Sequence, residues 1–254
     1  MILAVDAGNS NIVLGCMEGL EIRRTLRLKT DRAMSTAGYT VTLQAALSQA
    51  GFSAAGFEGG ILSSVVAAVT EPLQQALSAL LSGPVLVVGK TAKTTIPICI
   101  DQPETIGADL IAAAEGALAQ YAPPLVLIDM GTATTFSVLD KSGAFLGGAI
   151  APGVQLGAEA LTQRTGLPMT ELSAPQSPLS HSATDCLCSG IIYGAAAMVD
   201  GVLDRLETAL GTPVTTIATG GLARCVIPHC RRPVTLDDQL LLRGLAVMYR
   251  RKMT

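Results

Sequence analysis

The sequence predicts an α/β protein built from two duplicated lobes with mixed sheets, and three observations carry that expectation. Residues 1–16 read MILAVDAGNSNIVLGC and residues 125–139 read LVLIDMGTATTFSVL. Each is an apolar run ending in Asp, with Gly two residues on, then small hydroxyl or amide residues, then a second apolar run. Asp6 and Asp129 stand 123 residues apart in a chain of 254, which is the spacing of a half-chain duplication. After each hairpin the pattern passes through a further strand and then alternates helix, strand and helix, the order that stacks helices on mixed sheets. The expected division is residues 1–117 and 118–254, with a terminal helix able to pack back on the first lobe. Each lobe is expected to present a strand–Gly turn–strand hairpin toward a shared cleft.

The elements follow in order. Leu20 to Leu28 alternates as a third strand, and Thr36 to Ala50 carries apolar residues at helical spacing. Gly59 to Val66 reads as a short buried strand, Val69 to Leu81 as a helix with Pro72 in its first turn, and Pro84 to Val88 as another strand. Thr105 to Gln120 is Ala-rich and helical. In the second half, Leu125 to Leu139 is a hairpin, Phe145 to Ile150 its third strand and Val154 to Gln163 a helix. Ser189 to Ala209 is a long Ala/Gly-rich helix, whose uncharged first half suggests close packing against a copy of itself. Thr215 to Thr219 is a strand, and Gln239 to Arg251 a terminal helix. The Ser/Pro-rich stretch from Ser173 to Ala183 reads as a mobile loop.

Composition limits the functional classes. Hydrophobic residues make up 49% and charged residues 15% of the chain, so a sizeable core is available and some apolar surface is expected to be covered by a partner subunit. The net charge of −3 offers no basic stripe to a nucleic-acid backbone. No targeting segment and no membrane span are expected. The six cysteines lack zinc-site spacing and read as reduced thiols of a cytoplasmic protein. His181 and His229 have no partner at ligand spacing and read as surface residues.

The hairpin turns suggest phosphate chemistry. Gly8 and Gly131 would allow positive φ and close approach of a ligand to the backbone, and successive N–H groups in such turns form anion-binding concavities. Asn9, Ser10, Asn11, Thr132, Thr134 and Thr135 add neutral donors. A carboxylate beside a phosphate needs a cation between them, so Asp6 and Asp129 imply Mg²⁺ or another bound cation. Asp109, at the start of the third helix, is either a helix cap or a general base. Gly220-Gly221 is either a tight turn or a seat for a nucleotide base or ribose. Gly147-Gly148 followed by Ala151-Pro152-Gly153 reads as a second loop of close approach.

Several stretches together resemble one family. They are Asp6 to Asn11, Gly107-Ala108-Asp109, Ile128 to Thr135, Gly147 to Gly153, Ser189-Gly190 and Ala218 to Leu222. Across nearly its whole length the chain resembles the type III pantothenate kinases, within the actin, sugar-kinase and heat-shock-chaperone ATPase superfamily. The resemblance implies two ribonuclease-H-like lobes with mixed five-stranded sheets. It implies ATP-dependent phosphorylation of pantothenate to 4'-phosphopantothenate, the first step of coenzyme A biosynthesis. Asp6, Ala7, Gly8, Asn9, Ser10, Asn11, Ile12 and Val13 would line the ATP phosphates, with Thr132 also in contact. Asp109 would be the base, and Asp129 would hold K⁺ or NH₄⁺ in addition to the Mg²⁺ that accompanies ATP. Ile100, Gly107, Ala108, Asp109, Leu110 and Thr184 would form the substrate site. A cytoplasmic homodimer, with no nucleic-acid or membrane partner, is implied as well. Three positions depart from the family pattern: Ile100 stands where Tyr is usual, Leu110 where Arg is usual and Ala183 where Asn is usual. The alternative function is therefore a non-catalytic or substrate-shifted homologue.

Overall fold

The computed structural model describes residues 1–168 and 171–253. They form two compact units. Unit 1 comprises Met1–Pro97, Asp101–Gln120 and the C-terminal stretch from Gln239; unit 2 comprises Ile98–Ile100 and Tyr121–Asp238.

Unit 1 is a five-stranded mixed sheet in the order β3-β2-β1-β4-β5, formed by β1 (Ile2–Ala7), β2 (Asn11–Glu18), β3 (Glu21–Lys29), β4 (Gly60–Ser64) and β5 (Val85–Val87). β1 pairs antiparallel with β2 and parallel with β4. It is central and covered on both faces, so it reads as a continuous apolar run. Alternate residues serve separate cores. Leu3, Val5 and Ala7 pack under α1 (Thr36–Gln49) and α2 (Ala67–Leu80). Ile2 and Ala4 pack under α3 (Ala108–Leu118) and α7 (Leu240–Met253). β3 is an edge strand and carries the Arg and Lys residues that discourage further pairing.

Unit 2 repeats the topology. β6 (Leu125–Met130), β7 (Ala133–Leu139), β8 (Phe145–Pro152), β9 (Thr215–Thr219) and β10 (Thr235–Leu236) form a sheet in the order β10-β9-β6-β7-β8. Its first strand is again central, antiparallel to the second and parallel to the fourth in sequence. Val126, Ile128 and Met130 face α4 (Val154–Thr165) and α5 (Ala183–Leu210), while α6 (Ala223–Val226) follows the turn after β9.

Several boundaries differ from the sequence reading, three of them with a bearing on the site or the core. Residues Pro103–Thr105 form a separate 3₁₀ turn, so α3 begins at Ala108. α2 begins at Ala67, which moves Pro72 into its second turn. α5 starts at Ala183, because the hydroxyl of Ser182 accepts the Asp185 N–H at 3.1 Å and caps the helix well before Ser189. The difference at α5 concerns burial as well. α5 is long and apolar enough to cross a membrane by length and composition, with a mean hydropathy of 1.7. Its Leu187, Ile192, Ala196, Val199 and Leu203 lie in the core of unit 2, so one stripe of the helix owes its apolar character to that core. Finally, the two-residue strand β10 and the four-residue α6 have no periodic signature at that length.

Candidate active site

Period-two alternation places Asp6 on the α3/α7 side of its sheet, one step beyond Ala4. Ser63, its neighbour on β4, donates its hydroxyl to Asp6 Oδ1 at 3.0 Å. The turn that follows is closed by the Gly8 N–H donating to the Asn11 carbonyl at 2.9 Å. Two contacts from the end of β3 brace it: Thr30 Oγ1 donates to the Gly8 carbonyl at 2.7 Å, and the Thr30 N–H to the Ser10 carbonyl at 3.1 Å. Neither Gly8 nor Gly131 adopts positive φ, contrary to the expectation above. At Gly8 the turn is close instead, since a β-carbon there would lie a tight 3.3 Å from the Asn11 carbonyl oxygen. Ala7 and Ile12 direct their side chains into the α1/α2 core, so only their backbone is available to a ligand. Val13 is half-buried on the Asp6 side.

Gly107 caps α3 in an extended conformation, and Asp109 lies in the first turn. The carboxylate folds back so that Oδ1 accepts the Leu110 N–H at 2.8 Å. A side chain at Gly107 would run into that oxygen, so the glycine permits the folded-back conformation. Both readings of Asp109 thus have a structural basis, because it takes a first-turn N–H from inside the helix rather than from the cap position. Burial raises its carboxyl above the ordinary value, and the backbone N–H groups offset only part of this. A raised carboxylate is better matched to general-base work near neutral pH. Ile111 and Ala112 share one core with Ala4 and Ile61, so Asp6 and the α3 N-terminus lie on the same side of one sheet.

In unit 2, Asp129 is on the face opposite the α4/α5 core, between Thr135 on β7 and Thr219 on β9. The Gly131 N–H donates to the Ala133 carbonyl at 3.1 Å, leaving Thr132 exposed at the tip of the turn. Here positive φ is required elsewhere: Gly220 has φ +97°, and a β-carbon there would lie 2.6 Å from Asp129 Oδ1. The hydroxyl oxygens of Thr134 and Thr135 are buried without a hydrogen-bond partner. Thr135 is paired with Asp129 across β6 and β7, so both residues project from the same face of the sheet. Among the described residues no group of three or more His, Cys, Asp or Glu could hold a metal ion. An oxygen site with one carboxylate suits a weakly demanding monovalent ion, while Mg²⁺ keeps waters and binds largely through substrate phosphates.

The other candidates are divided between the units. Gly107, Ala108, Asp109 and Leu110 belong to unit 1, and Ile100, Asp129, Thr132 and Thr184 to unit 2. Ile100 follows a short pairing with β8, in which the Cys99 N–H donates to the Phe145 carbonyl at 2.8 Å. Thr184 is half-buried in the first turn of α5. His181 is exposed, whereas His229 is half-buried with its ring 4.9 Å from that of Tyr193.

A family model described as type III pantothenate kinase matches residues 2–205. The chain belongs to the type III pantothenate kinase family. Curated type III pantothenate kinases from Exiguobacterium sp. and Pelobacter propionicus are 38% and 36% identical over 252 residues, covering 99% of this chain and 99% of each relative. Two solved structures share the fold. One is a ROK family glucokinase from Streptomyces griseus in complex with glucose and AMPPNP, with a TM-score of 0.58, 14% identity and 97% of each chain covered. The other is the activator of the 2-hydroxyisocaproyl-CoA dehydratase from Clostridium difficile with bound ADPNP, with a TM-score of 0.56, 11% identity, and 99% of this chain and 95% of that one covered.

Four features of this family member have no local sequence signal: Ser63 on Asp6, Thr30 on the first turn, Thr219 beside Asp129, and an ion pair between the buried Glu115 of α3 and the exposed Arg251 of α7. Each contact joins residues far apart in sequence or on separate strands. The sheet contacts depend on pairing register, which becomes visible only once the sheet is assembled, and the ion pair depends on how α3 and α7 pack.

Proposed function

We propose that this protein transfers the γ-phosphoryl group of ATP to the primary hydroxyl of pantothenate, giving 4'-phosphopantothenate and ADP, the first step of coenzyme A biosynthesis. The observation that carries the reading is Asp109, a desolvated carboxylate with raised proton affinity on the same side of one sheet as Asp6 and its glycine turn. In this reading Asp109 accepts the hydroxyl proton as that oxygen attacks the γ-phosphorus, and the bond to the ADP oxygen breaks. In unit 1 the turn from Asp6 to Val13 offers neutral donors to phosphate, and in unit 2 the exposed Thr132 does the same. Asp129, with Thr135 beside it, holds a K⁺ or NH₄⁺ ion, which supplies positive charge to the phosphates when bound. Mg²⁺ accompanies ATP. Gly107, Ala108 and Leu110 of unit 1 are read as acceptor contacts beside Asp109, and Ile100 and Thr184 as those of unit 2.

The protein is further read as a cytoplasmic homodimer. The support is an apolar surface of unit 2, with Ile150 79% exposed on edge strand β8 and Leu156 47% exposed on α4. Sedimentation showing a monomer at micromolar concentration would contradict this. The deciding assay for function is coupled ADP release with ATP, Mg²⁺ and K⁺, with and without pantothenate. Pantothenate-dependent ADP formation is expected, with Na⁺ a poor replacement for K⁺. ATP binding without turnover would overturn the assignment in favour of a non-catalytic homologue, and equal rates in Na⁺ and K⁺ would remove the monovalent site.

A further inference from the structure

Arg27, Lys29 and Arg32 cluster in sequence where β3 passes the first glycine turn. Directly paired residues of neighbouring strands share a face. The pairings Asp6↔Val13, Val13↔Arg27 and Asn11↔Lys29 therefore put Arg27 and Lys29 on the Asp6 side of the sheet. Leu26 and Leu28 face the other way, against the α1/α2 core. Beyond β3 the chain folds over the turn itself: Thr30 donates to the Gly8 and Ser10 carbonyls, and Arg32 Nη2 donates to Asn9 Oδ1 at 2.9 Å.

Arg27 and Lys29 are exposed, and neither has an ion-pair or hydrogen-bond partner among the described residues. The bulge at the far end of β3 differs, because there Arg23 is held by Glu18 at 2.6 Å and Glu21 at 2.9 Å. Asp31 is the one acid from Arg27 to Arg32, and its Oδ1 accepts the Ala33 N–H at 2.9 Å. A chain of net charge −3 thus carries a local excess of cations around one turn.

The geometry points to Arg27 and Lys29 as a clamp on the β- and γ-phosphates of a nucleoside triphosphate, with Arg32 positioning the turn through Asn9. This rests on the ATP-dependent reading above. Two strand spacings, about 10 Å, separate the Arg27 backbone from that of Asp6. The guanidinium can be laid across the short side chain of Val13 toward the turn. Neutral turn donors do not offset the charge of a polyphosphate beside Asp6, whereas exposed guanidinium and ammonium groups do, and Arg can bind phosphate oxygens bidentately. Three cations around one turn match a multiply charged polyphosphate better than a single carboxylate.

Direct binding of ATP, ADP and AMP to the full chain, with no acceptor present, tests the clamp. Arg27→Gln combined with Lys29→Gln is expected to weaken ATP binding by about ten- to a hundredfold, to weaken ADP binding less, and to leave AMP binding unchanged. The salt dependence of ATP binding should become shallower. Arg27→Lys should keep part of the affinity. Arg24→Gln, on the opposite face of β3, should bind ATP like the parent. In steady state the KM for ATP should rise while that for pantothenate holds. Unchanged ATP affinity in the double variant overturns the clamp, as does an equal loss for AMP. A raised pantothenate KM with intact ATP binding overturns it too and assigns the cations to the acceptor carboxylate. A parent that binds ATP through these residues but does not phosphorylate pantothenate keeps the clamp and overturns the kinase assignment. An active parent whose double variant binds ATP normally overturns the clamp alone.

Discussion

Arg251→Met removes the cation from a carboxylate that remains buried. Glu115 is 5% exposed. Its Oε1 accepts from Arg251 Nη2 at 2.6 Å, Thr94 Oγ1 at 2.7 Å and the Thr95 N–H at 3.4 Å, and its Oε2 accepts from Arg251 Nη1 at 2.9 Å. Burial alone would push the Glu115 carboxyl up, but the Arg251 and threonine donors outweigh it and hold it below the ordinary value. The charge therefore persists at neutral pH, and without Arg251 only Thr94 and Thr95 remain among the described residues to satisfy it. Breaking a buried pair in this way costs about 3–5 kcal/mol. Arg251 is 34% exposed, so water refills part of the gap and the lower end, about 3 kcal/mol, is expected. For a chain of this size that corresponds to a fall in Tm of about 6–12 °C. The sign with pH follows from the depressed carboxyl. Its contribution is present above the unfolded-state value and is lost as pH falls through the folded-state value, so parent and variant should converge in acid. Glu115→Leu added to Arg251→Met should recover most of the loss, because an apolar pair leaves no buried charge. Thermal unfolding of the parent, single and double variants across pH is the assay. A single variant within about 1 kcal/mol of the parent, or a double variant less stable than the single one, refutes the reasoning.

Asp109→Asn is expected to lower kcat by about 10²–10⁴-fold with ATP affinity little changed. Because burial raises this carboxyl, its stabilising contribution exists at low pH and is lost as pH rises through the folded-state value. The Asn variant should therefore have the higher Tm at pH 7, and turnover at the parental rate would reduce Asp109 to a helix cap. Gly220→Ala forces a side chain into φ +97° and against Asp129 Oδ1, so a stability loss of about 1–2 kcal/mol should accompany a fall in kcat in potassium buffer; unfolding and steady-state kinetics read both. Ile100→Tyr with Leu110→Arg should raise kcat/KM for pantothenate by about ten- to a hundredfold, by restoring charge-assisted hydrogen bonds to its carboxylate, and no gain would mean that the carboxylate binds by another route.

The strand-and-turn repeat was legible in the sequence because its information is local. An apolar run, an Asp and a Gly fix a buried central strand and a turn without reference to anything distant, and both copies fold as five-stranded sheets of the same order. The placement of Asp6 and Asp129 at strand ends is local for the same reason. Local pattern was insufficient where a residue's role depends on what packs against it. The low charge of α5 reads equally well as an interface or as a core, and only the assembled unit shows Leu187, Val199 and Leu203 buried within it. Gly131 and Gly220 both follow a strand end in sequence, yet of the two only Gly220 has positive φ, and a β-carbon there would also meet the end of β6.

The sequence by itself thus determined the duplicated α/β frame, the family motifs and the candidate catalytic carboxylates, since these depend on residue type and near-neighbour spacing. Tertiary structure alone decided that the C-terminal helix belongs to unit 1, that Glu115 and Arg251 pair, and that Ser63 and Thr30 brace the first site. It also decided that Arg27 and Lys29 stand on the face of Asp6. The physical reason is register. Which side chains meet across a sheet or a helix crossing is set by long-range pairing, and a shift of one residue turns every side chain to the opposite face.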